Sequence, residues 1–163
     1  MSNSENVLRA EDVLEGCVLL AGVRHQSRES VLGAMVAALG QTMPSFPQDA
    51  LLASILEREQ VRSTGTPEGV AFPHGKHAMI DGVCAVIATA PHGIDFGGIT
   101  PLPCSIIVLT VSSVYRADGH LHFLAHMARC LRYPEVRAAV LEAKSKSTLL
   151  DALHVAADAT RVG

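Results

Sequence analysis

The residues best equipped for chemistry in this chain are its histidines, eight among 163 residues. A neutral imidazole can ligate a metal, relay a proton or attack an electrophile, and its surroundings decide which. His122 and His126 stand at i,i+4 spacing, so a helix would turn both rings to one side and fill two coordination positions. No Glu follows His122 in the metalloprotease manner, and the pair lies off the neighbouring apolar stripe. They read as solvated side chains beside Arg129, and no metal is assigned. More informative is Thr64-Gly65-Thr66-Pro67-Glu68-Gly69-Val70-Ala71-Phe72-Pro73-His74-Gly75, where glycines on both sides leave room for a ligand to approach backbone and imidazole. His74 has a neighbour of fixed φ before it and one of little bulk after it, which suits an exposed nucleophilic nitrogen.

These residues must be held by regular elements. Ser27 can cap a helix reaching about Leu39, because Val31, Leu32, Met35, Val36 and Leu39 recur at helical spacing and Gly40 supplies a stop. Pro44 and Pro47 punctuate a loop. A second amphipathic helix on Leu51, Leu52, Ile55 and Leu56 then ends in Glu57-Arg58-Glu59. The short, β-branched runs Val83–Ala90 and Cys104–Val111 read as strands buried on both faces, with turns at Pro91-His92-Gly93 and Gly97-Gly98. After Asp118, the stripe Leu121, Leu124, Ala125, Ala128 and Leu131 predicts a helix stopping near Pro134, with His120 in its first turn. Helices over about 135–143 and 147–157 close the chain. Strands interleaved with helices make the class α/β, a single domain over 1–163 with a core of about 10–157.

Composition removes several functions. A formal charge of −3 lacks the concentrated basic face that nucleic acid requires, so nucleic acid is not an expected partner. No run approaches the roughly 20 apolar residues of a membrane span, and Met1–Arg9 lacks the order of a signal peptide. No direct membrane insertion and a cytoplasmic location are expected. The four cysteines, at 17, 84, 104 and 130, form no CxxC pair and read as buried thiols. With no Trp and 4% aromatic residues, stacking platforms for sugars are scarce. No Walker-type phosphate loop is present, which disfavours direct use of ATP.

Three pieces in order carry a family likeness: Arg58-Glu59; Thr64-Gly65 followed by the apolar run into Pro73-His74-Gly75; and His120-Leu121 with Leu124, Leu131 and Pro134. Gly93-Ile94-Asp95-Phe96 adds a fourth. Together they resemble the enzyme IIA domains of the bacterial phosphotransferase system, in the fructose and mannitol class that includes the nitrogen-regulatory branch. Where that family commonly reads Gly-Ile-Gly-Asn, this chain has Gly65-Thr66-Pro67-Glu68, which puts a proline and an acid into the loop.

The resemblance implies a central mixed β-sheet covered by helices and a phosphohistidine carrier without cofactor or metal. It makes His74 the phosphoryl acceptor, with Arg58 and His120 stabilising the phosphoryl group. Glu68, on the same loop, is a candidate to orient the imidazole. The implied donor is HPr or its nitrogen-branch relative, docking over an apolar rim near Phe72; the implied recipients are an enzyme IIB component or regulated target proteins. A sensor of the same fold that binds protein partners without phosphotransfer is the alternative, and a metal-dependent hydrolase a distant third.

Overall fold

The computed structural model describes residues 8–43, 45–97, 100–115 and 117–160. In chain order the elements are α1 (Ala10–Glu15), β1 (Val18–Leu20), α2 (Arg28–Thr42), α3 (Gln48–Val61), β2 (Val70–Ala71), β3 (His74–Lys76), β4 (Val83–Asp95), β5 (Pro103–Ser112), α4 (Ala117–Cys130), α5 (Pro134–Glu142) and α6 (Lys146–Thr160). They build the mixed, helix-covered α/β sheet that the sequence predicts.

The sheet runs β1-β4-β5-β2, with β3 also on β5. β4 and β5 form an antiparallel hairpin, β1 lies parallel to β4, and β2 and β3 lie parallel to β5. Both short strands keep one register on β5, Val70 opposite Ile106 and His74 opposite Thr110. They are halves of a single edge strand interrupted at Phe72-Pro73. An edge strand tolerates a proline because one side of its ladder is unused, and the Pro73 carbonyl still accepts from Thr110 N at 3.1 Å.

Strand alternation divides the core in two. Ile106 and Val108 of β5 join Val83, Ala85 and Ile87 of β4 beneath α1, α4, α5 and α6. Ile107, Leu109 and Val111 join Val86 and Ala88 beneath α2 and α3. Every other residue of β5 therefore faces α4, and that is the side on which His74, Thr110 and Ser112 lie.

Several local expectations are corrected. Helix α2 is capped by Ser27, whose Oγ accepts from Ser30 N at 3.1 Å. It runs past Gly40 to Thr42, with the exposed Gln48 side chain lying over that glycine. Pro91-His92-Gly93 is an irregularity inside β4, where the register slips between Thr89 and Ile94 and Gly93 takes φ +76°. The hairpin instead reverses after Asp95, whose carboxylate accepts from Gly97 N and Leu102 N at 2.8 and 2.9 Å. Those two bonds hold its carboxyl below the usual Asp range. Pro44 and Gly98, expected in a loop and a turn, lie outside the described residues. The buried side of α4 carries His120, Phe123, Met127 and Cys130, with Leu131 just beyond, while Leu121, placed on the inner stripe by spacing, is 65% exposed.

Candidate active site

His74 opens β3 on the face towards α4, and the glycine after it points to the opposite face. A Cβ on Gly75 would lie 2.9 Å from Ile55 Cγ1 and 3.0 Å from Leu51 Cδ1, so Gly75 lets α3 close onto the edge strand. The room it supplies is taken by a helix, not by a ligand as its sequence context suggests. The half-buried His74 ring is oriented from below by its own strand: Nδ1 lies 3.0 Å from the Phe72 carbonyl oxygen. A carbonyl only accepts, so Nδ1 carries the proton and Nε2 the lone pair. Among the described residues Nε2 has no hydrogen-bond partner.

The second imidazole arrives from α4. His120 is 3% exposed, and its ring meets that of His74 edge-on, centroids 5.2 Å apart and planes at 68°. Its Nδ1 is 2.8 Å from Ser112 Oγ at the end of β5, beneath it. Burial, followed by the neighbouring His74, Lys76 and Arg58, holds the His120 imidazole down to about 4. At neutral pH it is uncharged and has one N–H to offer. The other hydroxyl on this face, Thr110 Oγ1, is buried without a hydrogen-bond partner among the described residues, and Thr110 stands directly opposite His74 in the ladder.

Arg58, in the last turn of α3, is exposed. Its charge reaches the His120 ring. It pairs with neither Glu57 nor Glu59; among the described residues the one ion pair is Arg28–Glu29. Glu59 is 2% exposed and turns the other way, accepting from Thr64 N at 3.1 Å and from the Thr64 hydroxyl. It ties the end of α3 to the loop entering the edge strand, and so fixes where Arg58 is presented. Sequence reading missed this structural role, and it missed Lys76, which shares the His74 face of β3 and whose charge also bears on His120.

Glu68 is exposed and makes no hydrogen bond to His74, whose Nδ1 lies against the Phe72 carbonyl. The unusual residues around it fit a tight reversal. Gly69 N donates to Thr66 O at 3.0 Å, with Pro67 at the second turn position, where its fixed φ is favourable. Gly69 takes φ +83°, and Thr66 N closes the loop on Val70 O at 2.9 Å. A cavity of about 200 Å³ lies between this loop, Phe72 and the α4 end at Ala128, Leu131 and Arg132.

The His122 and His126 pair splits: His122 is exposed, while half-buried His126 lies 3.7 Å from Cys130 Sγ. Among the described residues no group of three or more His, Cys, Asp or Glu is placed to hold a metal ion, and no helix is long and apolar enough to cross a membrane.

The family model described as phosphoenolpyruvate-dependent sugar phosphotransferase system, EIIA 2, matches residues 14–155. The chain belongs to this family. Among its EIIA relatives, a fructose-specific EIIA component of Haloferax volcanii is 32% identical over 106 residues, 65% of this chain and 69% of that protein. A nitrogen regulatory protein of Pseudomonas aeruginosa is 22% identical over 88% of this chain and 93% of its own. The fructose-specific EIIABC component of Bacillus subtilis is 24% identical over 90% of this chain, which spans 23% of that longer protein. Solved EIIA folds agree: the nitrogen regulatory protein IIA-Ntr of Neisseria meningitidis superimposes with a TM-score of 0.78 at 19% identity, covering 86% of this chain and 98% of that one. The mannitol IIA of Escherichia coli gives 0.68 at 17% identity, over 83% and 94%.

Proposed function

We propose that this EIIA-family protein is a phosphohistidine carrier in which Nε2 of His74 takes a phosphoryl group from an HPr-type protein and passes it on. The observation that carries the reading is the bond from His74 Nδ1–H to the Phe72 carbonyl, which leaves one nucleophilic nitrogen, unencumbered, beside a neutral imidazole. In the transfer, the Nε2 lone pair forms the new N–P bond while the donor's N–P bond breaks and its electron pair returns to the donor ring. The phosphorylated His74 ring keeps its Nδ1 proton and gains positive character, which the Phe72 carbonyl dipole favours. Protonation on the far nitrogen also keeps the ring a good leaving group for the next transfer.

Arg58 and His120 then serve the incoming dianion in different ways. Arg58 offers a guanidinium fork with no competing carboxylate among the described residues; a charged hydrogen bond of that kind contributes about 1.5–3 kcal/mol. His120 offers an uncharged N–H from a buried, fixed position in the first turn of α4, at the positive end of the helix dipole. Positioning and electrostatics of this sort supply most of what in-line phosphoryl transfer needs. The docking rim expected near Phe72, itself half-buried, continues in this reading to the carboxyl ends of β3 and β5, where Met79, Tyr115 and Leu121 are exposed. The proposal includes a cytoplasmic location and delivery to an enzyme IIB component or to regulated target proteins.

The test is intact-protein mass after incubation with phosphoenolpyruvate, enzyme I and an HPr-type carrier, with His74→Ala and acid treatment as controls. One acid-labile phosphoryl addition that disappears in His74→Ala is expected. No addition from several carriers would overturn the reading in favour of a partner-binding sensor of the same fold. If phosphorylation occurs, transfer onward to sugar-specific IIB proteins separates a sugar-specific component from a regulatory one.

A further inference from the structure

Ser112 ends the apolar strand β5 and is fully buried, on the α4 side of the sheet. Its Oγ has one hydrogen-bond partner among the described residues, Nδ1 of His120 at 2.8 Å. Heavy-atom positions leave two arrangements. If the imidazole Nδ1–H donated to Oγ, the serine proton would have no acceptor in a buried site, and the bare Nε2 of His120 would add a second lone pair to a site that already holds that of His74. If the serine donates to Nδ1, its proton is satisfied and the imidazole must carry its own on Nε2. Burying an unused donor is costly, so the second arrangement is favoured. It is also the arrangement that gives an arriving phosphoryl group a donor where the first gives it a repelling lone pair.

We infer that Ser112 is a positioning residue for His120: its hydroxyl donates to Nδ1 and locks the second imidazole in the tautomer whose proton is on Nε2. The inference deepens the carrier reading and rests on it for its catalytic consequence, but the tautomer itself can be tested without any transfer. Ser112 touches neither phosphoryl group nor carrier; it acts through the ring above it. A serine suits this task because it can donate without adding charge to a site that must accept a dianion.

The first measurement is the imidazole ¹H–¹⁵N long-range correlation spectrum of the full, unphosphorylated chain at neutral pH, with His120→Ala to assign the signals. Wild type is expected to show His120 with a bare Nδ1 and a protonated Nε2. Ser112→Ala should shift the ring towards a tautomer mixture, and Ser112→Thr, which keeps the hydroxyl, should retain the wild-type pattern. A wild-type His120 protonated on Nδ1, or an unchanged pattern in Ser112→Ala, would overturn the inference. The second measurement is the rate of phosphoryl uptake from the carrier. Ser112→Ala is expected to slow it by about tenfold, less than loss of the imidazole, with carrier affinity unchanged. In a His120→Ala background the same substitution should change nothing further. An equal slowing in both backgrounds would reduce Ser112 to a packing residue. If wild type takes up no phosphoryl group at all, the carrier reading fails, and the spectrum still decides what Ser112 does.

Discussion

Lowering the pH should destabilise this protein through His120 in a way that can be worked out in advance. Its folded imidazole is held down to about 4, whereas an unfolded histidine titrates near 6.5. Above 6.5 both states are neutral there and the full stability is present. Between 6.5 and 4 the unfolded chain binds a proton that the folded chain refuses, so stability falls as pH falls; below 4 both states are protonated and the loss stops. Each unit inside that window is worth at most about 1.4 kcal/mol, giving a ceiling of about 3 kcal/mol and, after allowance for solvent near the site, about 2 kcal/mol. Urea unfolding at half-unit steps from pH 7 to 4.5, in wild type and His120→Gln, isolates the contribution as a difference of slopes. Half-buried His126, whose imidazole is also pushed down, chiefly by burial, contributes equally to both proteins and cancels. Parallel slopes between pH 6 and 5 would refute the claim that His120 is buried in its neutral form.

Four further outcomes follow from the same geometry. His120→Ala should slow phosphoryl uptake by about a hundredfold or more, the usual loss for one preorganised donor, and mass-resolved uptake kinetics would measure it. Arg58→Ala should slow uptake by about tenfold or more while changing unfolding stability by less than about 0.5 kcal/mol, because its side chain is exposed and makes no ion pair among the described residues. Gly75→Ala must push against Ile55 and Leu51 at 2.9 and 3.0 Å, costing about 1–3 kcal/mol in urea unfolding and moving α3, with Arg58, away from His74; a neutral effect on both stability and uptake would refute the close-packing role. Thr110→Val removes a buried hydroxyl without a partner among the described residues and should raise stability by about 1 kcal/mol without slowing uptake, checked by the urea midpoint and the same kinetics.

Legibility in the sequence followed the range of the interactions involved. Helix α2 was readable because its cap and its apolar spacing are local, and β4 and β5 because continuous β-branched runs are what a sheet covered on both faces demands. Edge strands β2 and β3, together five residues, have no periodicity to read; they exist because β5 offers them a register. Gly40 misled because a glycine stops a helix only where the chain leaves it, and here the helix continues through it to Thr42. At the site, Arg58, His74 and His120 were named by their likeness to a family. The groups that orient the two rings were not: one is the backbone carbonyl of Phe72, and the other, Ser112, closes an apolar run where a hydroxyl reads as a strand end. Glu68 was nominated because it shares the loop, yet the tight turn at Pro67 leaves it exposed.

In the proposed carrier, the division between a buried neutral donor and an exposed cation would have its own logic, because a carrier must release what it binds. Had both donors been charged and buried, desolvated attraction would stabilise the phosphorylated state strongly, and each tenfold gain in holding the group would be a tenfold loss in handing it on. A neutral N–H on His120 lowers the energy of the transferring group with less dependence on its full charge, and its fixed position costs no reorganisation during the step. Arg58, exposed at the end of α3, can follow the phosphoryl group partway towards either partner while remaining hydrated, so its attraction is moderated by solvent. On this reasoning an Arg58→Lys variant, which keeps the charge and loses the bidentate fork, should recover part of the uptake rate lost in Arg58→Ala, whereas His120→Lys, which places a charge where the fold excludes one, should be impaired in both stability and onward transfer.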